Sequence, residues 1–304
     1  MFDNIKHFLS NRINAALVGA LVLILIGASF GVYKVLSKPA AALPEEVIEL
    51  GFDPEGPYAI LEPRKDGYAV NLNMFRVASY KAFSYQLVYS SLGTTAGEEY
   101  SEGPIDRAAG ALDTYIELNN KSEFSQELLF GTCSKGDTSS TKHCVFDKNV
   151  ENGTLTLMIK QEPKKGDKTQ KVYKMNTTWH MQQPDIALGK LTSADEHFIY
   201  TTKAKAAELS NTGFTLINDI TGAPKFPENK KVLGKVYALN VPAAKTLPAG
   251  SLVIETPETP PDNAQIGIYQ SGKNAWDLLE TKIAGSKLST EAPGAGIFAV
   301  FVNQ

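Results

Sequence analysis

An uncharged apolar run near the N-terminus, INAALVGALVLILIGASFGV from Ile13 to Val32, constrains the folding of this chain most strongly. Twenty residues that each rise 1.5 Å in an α-helix cover about 30 Å, the thickness of a bilayer's hydrocarbon core. The sequence therefore predicts a transmembrane helix over residues 13–33, which binds the lipid bilayer through Ile13–Val32. Residues 1–12 are then a short tail on one side of the membrane.

A cleaved signal peptide is the alternative interpretation of this region. The small residues of PAAA, Pro39 to Ala42, resemble a cleavage site that follows an apolar run. However, the run is longer than a usual signal-peptide core, and Lys34 and Lys38 separate it from that site. We therefore expect an uncleaved signal-anchor.

Both cysteines of the chain, Cys133 and Cys144, flank one polar, glycine-containing loop between two apparent strands. A structural zinc site needs four ligands, and His143 is the only other candidate ligand nearby in the sequence. The spacing also differs from the C-x-x-C of redox motifs. We predict a disulfide between Cys133 and Cys144, with two unpaired thiols as the main alternative, and we expect no metal, cofactor or catalytic role for them.

The orientation of the predicted helix depends on this disulfide. Lys6 and Arg12 on one side balance Lys34 and Lys38 on the other, so the positive charges hardly favour either orientation. Disulfides persist in oxidising compartments outside the cytosol. The expected topology is a single-pass protein of the cell membrane, with its N-terminus inside and its C-terminal domains extracellular.

Alternation of apolar and polar residues dominates the rest of the chain and predicts strands there. In YAVNLNMF, Val70, Leu72 and Met74 share one face, and in TLTLMIK the inward residues are Leu155, Leu157 and Ile159. The segment AFSYQLVYS has the same pattern. Further strands are predicted at 114–118, 126–131, 213–219, 231–242, 250–255, 265–271, 275–281 and 296–304.

The alternation lapses in a polar stretch with a proline, QQPDIALGKLTSADE, at 182–196. We place a domain boundary there. Short strands with glycine and proline turns favour antiparallel sandwiches. The predicted fold class is mainly β: a transmembrane helix, a stalk at 34–48, a β-sandwich domain with the disulfide loop at 49–186, and a C-terminal β-sandwich domain at 187–304.

A resemblance to known proteins implies the same kind of fold. The segment GIYQSGKNAWDLLETKIAGSKLSTEAPGAGIFAVF resembles the closing strands of β-sandwich modules in bacterial surface proteins, related to the sandwich of ankyrins and netrin receptors. FSYQLVYSS, LLFGTCSKG and CVFDKNVENGTLTL resemble membrane-anchored surface proteins of candidate-phylum bacteria. The resemblance implies a fold and a surface location and assigns no functional residue. The C-terminal positions that carry it are Tyr269, Trp276, Leu278, Leu288-Ser289-Thr290 and Phe298-Ala299-Val300.

Three further motifs have simple structural interpretations. GASFG at 27–31 matches a G-x-S-x-G nucleophile elbow, but inside the predicted helix it fits better as a G-x-x-x-G contact that would allow a homodimer. Asp147 to Gly153 departs from a calcium-binding loop and is predicted to be a turn. The lysines at 160, 164, 165, 168 and 171 predict a solvated hairpin tip, with binding to an anionic polymer or lipid surface as the alternative.

The net charge of −3 and the mixing of lysines with acidic residues argue against a nucleic-acid partner. The histidines and serines form no recognisable catalytic pattern, so we predict a non-enzymatic protein of the cell surface, an interaction or adhesion module or a structural component of the envelope. A protein or glycan partner is expected at end loops such as Thr256–Asp262 or the cysteine loop. The alternatives are a subunit of an envelope or secretion assembly, and an envelope hydrolase.

Overall fold

The computed structural model describes residues 43–97, 99–100, 103–135, 142–183, 189–202, 215–270 and 272–304. The predicted inner tail, the transmembrane helix at 13–33 and the first part of the stalk lie outside these residues. Among the described residues, no helix is long and apolar enough to cross a membrane. Glu45–Gln304 forms one compact unit.

Strands and turns make up the described part of this unit. In chain order the strands are β1 Glu45–Glu49, β2 Tyr58–Pro63, β3 Ala69–Phe75, β4 Tyr80–Ser91, β5 Gly93–Thr94, β6 Ile105–Ala109, β7 Ile116–Glu117, β8 Glu123–Leu129, β9 Gly131–Lys135, β10 Lys142–Lys148 and β11 Asn152–Gln161. They continue as β12 Gln170–Gln182, β13 Lys190–Thr192, β14 Phe198–Thr202, β15 Thr215–Ile220, β16 Lys230–Asn240, β17 Gly250–Glu255, β18 Gln265–Tyr269, β19 Trp276–Leu278, β20 Lys282–Ala284, β21 Lys287–Ala292 and β22 Gly296–Asn303.

One long sheet joins both halves of the described chain. Its order is β19-β18-β22-β16-β15-β12-β11-β4-β6, with β7 paired to β4 and β1 paired to β12. The smaller sheets are β2-β3-β8, β13-β14-β17-β21-β20 and β5-β10-β9. The described strands pair antiparallel except β1, which runs parallel to β12. The prediction of a mainly β fold with antiparallel sheets is confirmed.

The predicted alternation explains which faces of the sheets meet. Val70, Leu72 and Met74 of β3 are buried against β4, β11 and β12 of the long sheet, in a cluster that includes Leu155 and Leu157. A second cluster lies between the five-stranded sheet and β16, β18 and β22. Alternate residues of β16 and β22 face a third cluster on the opposite side of the long sheet, so these two strands are covered on both faces.

Two local predictions need correction. Residues 45–48, predicted as the end of the stalk, belong to β1, because Glu45–Glu49 pairs through its backbone with Gln170–Lys174 of β12. Ion pairs of Glu45 with Lys160 and of Glu49 with Lys174 accompany this pairing. The strand predicted at 114–118 is only Ile116–Glu117, since the chain turns away through left-handed backbone at residues 119 and 120. The predicted boundary between residues 186 and 187 lies in the segment 184–188, outside the described residues, and on either side of it β12 and β15 share one sheet.

Asn218 joins the sheet β2-β3-β8 to the long sheet. It is fully buried on β15, and its Oδ1 accepts a hydrogen bond from the backbone N of Leu61, at 3.2 Å. Its Nδ2 donates to the carbonyl oxygens of Ala59, at 3.2 Å, and Asp219, at 2.9 Å. The amide of Asn218 thus takes the place of a neighbouring strand along the outer edge of β2.

We expect Asn218→Ala to lower the free energy of unfolding by about 2 kcal/mol, because it leaves a buried N–H and a buried carbonyl of β2 without partners. Denaturant unfolding at equilibrium would measure the loss. Asn263→Ala, at an exposed position, is the matched control and should change the free energy of unfolding by less than about 0.5 kcal/mol. Equal effects of the two substitutions would contradict the role assigned to Asn218.

Candidate functional site at the 256–262 loop

The two cysteines form the predicted disulfide. Cys133 of β9 lies directly opposite Cys144 of β10, with the Cα atoms 4.1 Å and the sulfur atoms 2.01 Å apart. The tip of the cysteine loop, residues 136–141, lies outside the described residues, so this candidate binding loop is known only at its base.

Hydrogen bonds fix the base of this hairpin to the long sheet. The hydroxyl of Tyr89 donates to Oδ2 of the buried Asp147, at 2.8 Å, and accepts a hydrogen bond from the backbone N of Gly131, at 3.0 Å. Arg107 Nε lies 3.8 Å from Oδ1 of the same carboxylate. Asp147, which begins the calcium-like motif, is therefore already engaged by a hydroxyl and a cation.

The second candidate binding loop, Thr256–Asp262, connects β17 to β18 and lies within the described residues. Thr256 fixes its start, because its backbone N and its hydroxyl both donate to the carbonyl oxygen of Ser286, at 2.9 and 3.0 Å. Beyond this point, residues 257–259 and 261–262 are exposed. The loop therefore presents polar side chains and prolines to solvent from a fixed base.

A bulge in β16 lies beside this loop. Gly234 has φ of +78°, and an added Cβ would approach the ring of Pro257 to 3.3 Å. The register between β16 and β22 shifts between Leu233 and Tyr237. Bulges redirect side chains, and here Lys235 Nζ lies 2.9 Å from Oδ2 of Asp195 and 3.5 Å from Oδ2 of Asp219.

Four donors surround the carboxylate of Asp195. Its Oδ1 accepts from Ser193 Oγ, at 2.5 Å, and from the backbone N of His197, at 3.3 Å. Its Oδ2 accepts from Lys235 and from the hydroxyl of Tyr237, at 3.0 Å. Burial alone would raise the pKa of Asp195, but the hydrogen bonds from Ser193 and Lys235 and the charge of Lys235 outweigh it and lower this pKa to about 2.

The pKa of Asp219 shifts in the opposite direction. Burial raises its pKa, and the hydrogen bond from the backbone N of Thr178 and the charge of Lys235 offset this only in part. Burial also raises the pKa of Tyr237, and the negative charge of Asp195 adds to that rise. At neutral pH the cluster therefore holds Asp195 ionised, Lys235 charged and Tyr237 protonated.

A second set of charges continues the cluster toward the exposed side of the loop. Glu255 Oε2 lies 3.9 Å from His197 Nδ1 and 3.8 Å from Lys287 Nζ, and its Oε1 accepts from Ser286 Oγ, at 3.3 Å. Carboxylates and lysine ammonium groups thus lie next to one another near the base of the 256–262 loop. Because donors already engage both oxygens of the Asp195 carboxylate, proton transfer by this group is unfavourable at neutral pH.

A separate groove of about 330 Å³ opens on the five-stranded sheet. Glu280, Lys282 and Glu291 supply charges along it, and Ser251 and Ser289 supply hydroxyls. Its mixture of donors and acceptors suits a small polar ligand better than an apolar one.

The sequence pattern did not indicate the cluster of Asp195, Asp219 and Lys235. These residues lie on a turn, on β15 and on β16, and the pairing of strands brings them together. One local signal was present: Gly234 interrupts the alternation of KVLGKVYALN, and a glycine inside a strand pattern indicates a bulge. Nothing in the sequence indicated which carboxylates the redirected Lys235 would contact.

The two carboxylates should respond differently to substitution and to pH. Because the pKa of Asp195 is lowered in the folded state, its ionised form stabilises the fold above its ordinary pKa, and this stability is lost as the pH falls from about 4 to about 2. Asp195→Asn should lower the free energy of unfolding at pH 7 by about 2 kcal/mol, with the difference vanishing near pH 2.

Asp219→Asn is the matched control for this prediction. Its raised pKa means that ionisation of Asp219 opposes folding, so the amide should cost less than Asp195→Asn at pH 7. Denaturant unfolding of both variants between pH 2 and pH 7 would measure the difference. A larger loss for Asp219→Asn, or a loss for Asp195→Asn that does not depend on pH, would contradict the assignment.

Comparisons with known proteins leave the function to be inferred from these residues. No known family model matches the chain, and a search of curated proteins finds no match either.

Proposed function

We propose that this protein is a single-pass, membrane-anchored surface protein with a non-enzymatic role, as an interaction or adhesion module or a structural component of the envelope. In this proposal residues 13–33 span the cell membrane, the N-terminus lies inside, and the part from Glu45 onward is extracellular. Residues 49–186 and 187–304 act as two antiparallel β-sandwich domains.

The observation that carries the proposal is the Cys133–Cys144 disulfide. A stable disulfide between two adjacent strands fits an oxidising compartment and argues against the cytosol. The uncharged run that ends at residue 32 lies only 12 residues before β1 begins at Glu45. A folded unit tethered so closely to an apolar segment is typical of a protein held at a membrane surface.

The arrangement of the hydrophobic clusters supports two sandwiches. The first cluster draws on buried residues between 59 and 181, together with Leu216, and the second on residues between 191 and 302. Each cluster has a smaller sheet on one side and part of the long sheet on the other. Two packed layers around each cluster satisfy the requirement of a sandwich.

The 256–262 loop is the proposed binding region for a protein or glycan partner. Its base is held by the hydrogen bonds from Thr256 to Ser286 and from the backbone N of Glu255 to the carbonyl oxygen of His197, so its exposed residues would bind with little loss of conformational entropy. The hydrolase alternative requires a carboxylate that exchanges protons with a substrate. Asp195, with four donors and a low pKa, is poorly suited to that role, and the carboxylate of Asp219, whose pKa burial raises, is already engaged by the backbone N of Thr178 and by Lys235.

Protease shaving of intact cells with trypsin tests the topology and the disulfide together. Cleavage after Lys121, Lys135, Lys142 and Lys148 would release SEFSQELLFGTCSK and HCVFDK joined by the disulfide, and reduction should separate them in the mass spectrum. Release of these peptides only after cell lysis would contradict an extracellular location. Alkylation of either cysteine before reduction would contradict an oxidising compartment.

Photo-crosslinking on intact cells tests the binding region. A photoreactive residue at Thr259 reports on the proposed loop, and one at Thr246, also exposed but in the loop between β16 and β17, is the matched control. We expect adducts with a surface protein or glycan from position 259 and none from position 246. Equal yields at the two positions would contradict a specific role for the 256–262 loop.

A further inference from the structure

The hairpin between β11 and β12 ends in a tip that carries exposed positive charge. Lys164, Lys165, Lys168 and Lys171 are all exposed, and none forms an ion pair with any described residue. Residues 162–171 hold these four lysines against two acidic residues, Glu162 and Asp167. The tip is therefore the positively charged end of a hairpin in a chain whose net charge is negative.

Several nearby carboxylates are engaged in internal contacts. Asp167 Oδ2 accepts from the backbone N of Lys164, at 2.7 Å, which closes the turn. Glu45 and Glu49 of β1 pair with Lys160 and Lys174, at 2.6 and 2.8 Å, on the sides of the hairpin. Glu46 accepts a hydrogen bond from the hydroxyl of Thr169, at 2.9 Å. These carboxylates hold β1 and the turn in place, whereas the lysines at the tip remain available to an external anion.

The register of β1 locates this tip relative to the start of the folded unit. Glu45 lies opposite Gln170, so the chain enters the sheet at the same end as the lysine tip. Residues 34–44, which connect the predicted transmembrane helix to β1, are eleven residues that can span at most about 40 Å when fully extended. A membrane anchor at residues 13–33 would therefore keep this end of the sheet close to the bilayer.

We propose that the lysine tip, residues 164–171, docks on the anionic headgroups of the bilayer that holds the anchor. Charge complementarity and the short tether both favour a lipid surface as the occupant, and each lysine near an anionic bilayer strengthens the attachment roughly fivefold. Docking would turn the loop between β16 and β17 away from the membrane. The 256–262 loop leads into Gln265, which lies level with the start of β16 at the same end as the lysine tip, so its partner would be a component of the same membrane surface. This inference rests on the proposed function, because it requires an anchored protein.

The test uses the full-length protein in vesicles of phosphatidylcholine alone or mixed with phosphatidylglycerol. A membrane-impermeant amine-acetylating reagent modifies exposed lysines, and mass spectrometry measures the rate at each position. We expect acetylation of Lys164, Lys165 and Lys168 to slow several-fold in the anionic vesicles and to recover at high salt. Lys245 is the internal control, and its acetylation rate should not change. It follows the C-terminal end of β16, which lies level with Met181 of β12. Met181 is about 33 Å along β12 from Lys171, at the opposite end from the lysine tip.

The outcomes separate this inference from the proposed function. Failure of the protein to float with neutral vesicles would overturn the anchor itself. If the protein floats but the tip lysines are acetylated equally fast in both kinds of vesicle, only the docking of the tip would be overturned. The same would follow if the anionic vesicles protected Lys245 as strongly as the tip lysines. Protection by a soluble anionic polymer but not by anionic vesicles would assign the tip to a polymer and overturn the lipid partner. The variant K164Q/K165Q/K168Q should still float, and acetylation of its Lys171 should no longer depend on lipid charge.

Discussion

Replacing Trp179 with alanine is expected to lower the free energy of unfolding by about 3–5 kcal/mol. Trp179 is fully buried on β12, and its ring stacks with Phe130 at 5.7 Å between centroids. The backbone of Gly153 on β11 packs against the same ring so closely that a Cβ there would lie 2.5 Å from it. Alanine would leave a cavity in the first hydrophobic cluster, on the face of the long sheet, which can close only in part.

Equilibrium unfolding followed by circular dichroism would measure this loss without relying on the fluorescence of the residue being replaced. Trp276→Ala is the matched control, because Trp276 is only partly buried, against Phe226 and Phe301 at the edge of the long sheet. Its loss should be clearly smaller. Equal losses for the two tryptophans would contradict the assignment of Trp179 to the centre of the first cluster.

Trp179→Phe refines the same prediction. The indole Nε1 of Trp179 is buried and has no hydrogen-bond partner among the described residues. Phenylalanine removes volume, but it also removes this unpaired donor. We therefore expect Trp179→Phe to cost much less than Trp179→Ala, and equal costs would indicate that the indole N–H has a partner.

Local alternation was sufficient to predict about half of the 22 strands among the described residues. The strand predicted at 250–255 has the same bounds as β17, and Val70, Leu72, Met74, Leu155 and Leu157 are buried as predicted. This works because one buried face imposes a period of two on any strand, whatever its partner. The disulfide could be predicted equally well, since two cysteines that flank one loop have no other cysteine to pair with.

Long-range pairing could not be read from the same pattern. The parallel pairing of β1 with β12 joins residues more than 120 positions apart, and its exposed glutamates carry no alternation. The role of Asn218 could not be predicted either, because its hydrogen bonds to β2 depend on the tertiary structure that places the edge of β2 beside it. The cluster of Asp195 and Lys235 likewise depends on which strands are neighbours, so the candidate site emerged from the topology.

Replacing both cysteines with serine should lower the free energy of unfolding by about 3 kcal/mol. The disulfide closes a loop with a sequence separation of 11 residues, and the chain-entropy estimate for a loop of this size is about 3 kcal/mol. The unfolded chain gains that freedom when the link is removed. Denaturant unfolding of the wild type and of the C133S/C144S variant, each with and without a reducing agent, would measure the effect.

The four conditions distinguish loss of the link from disruption by the serines. The reductant should lower the stability of the wild type to that of the variant and leave the variant unchanged.

A wild type that is equally stable when reduced would mean that the hairpin opens independently of the rest of the sheet, so that the link stiffens only the loop. That result would contradict the continuity implied by Tyr89 and Asp147, whose hydrogen bond connects β10 to the long sheet. Unfolding that remains a single transition in the variant would support this continuity.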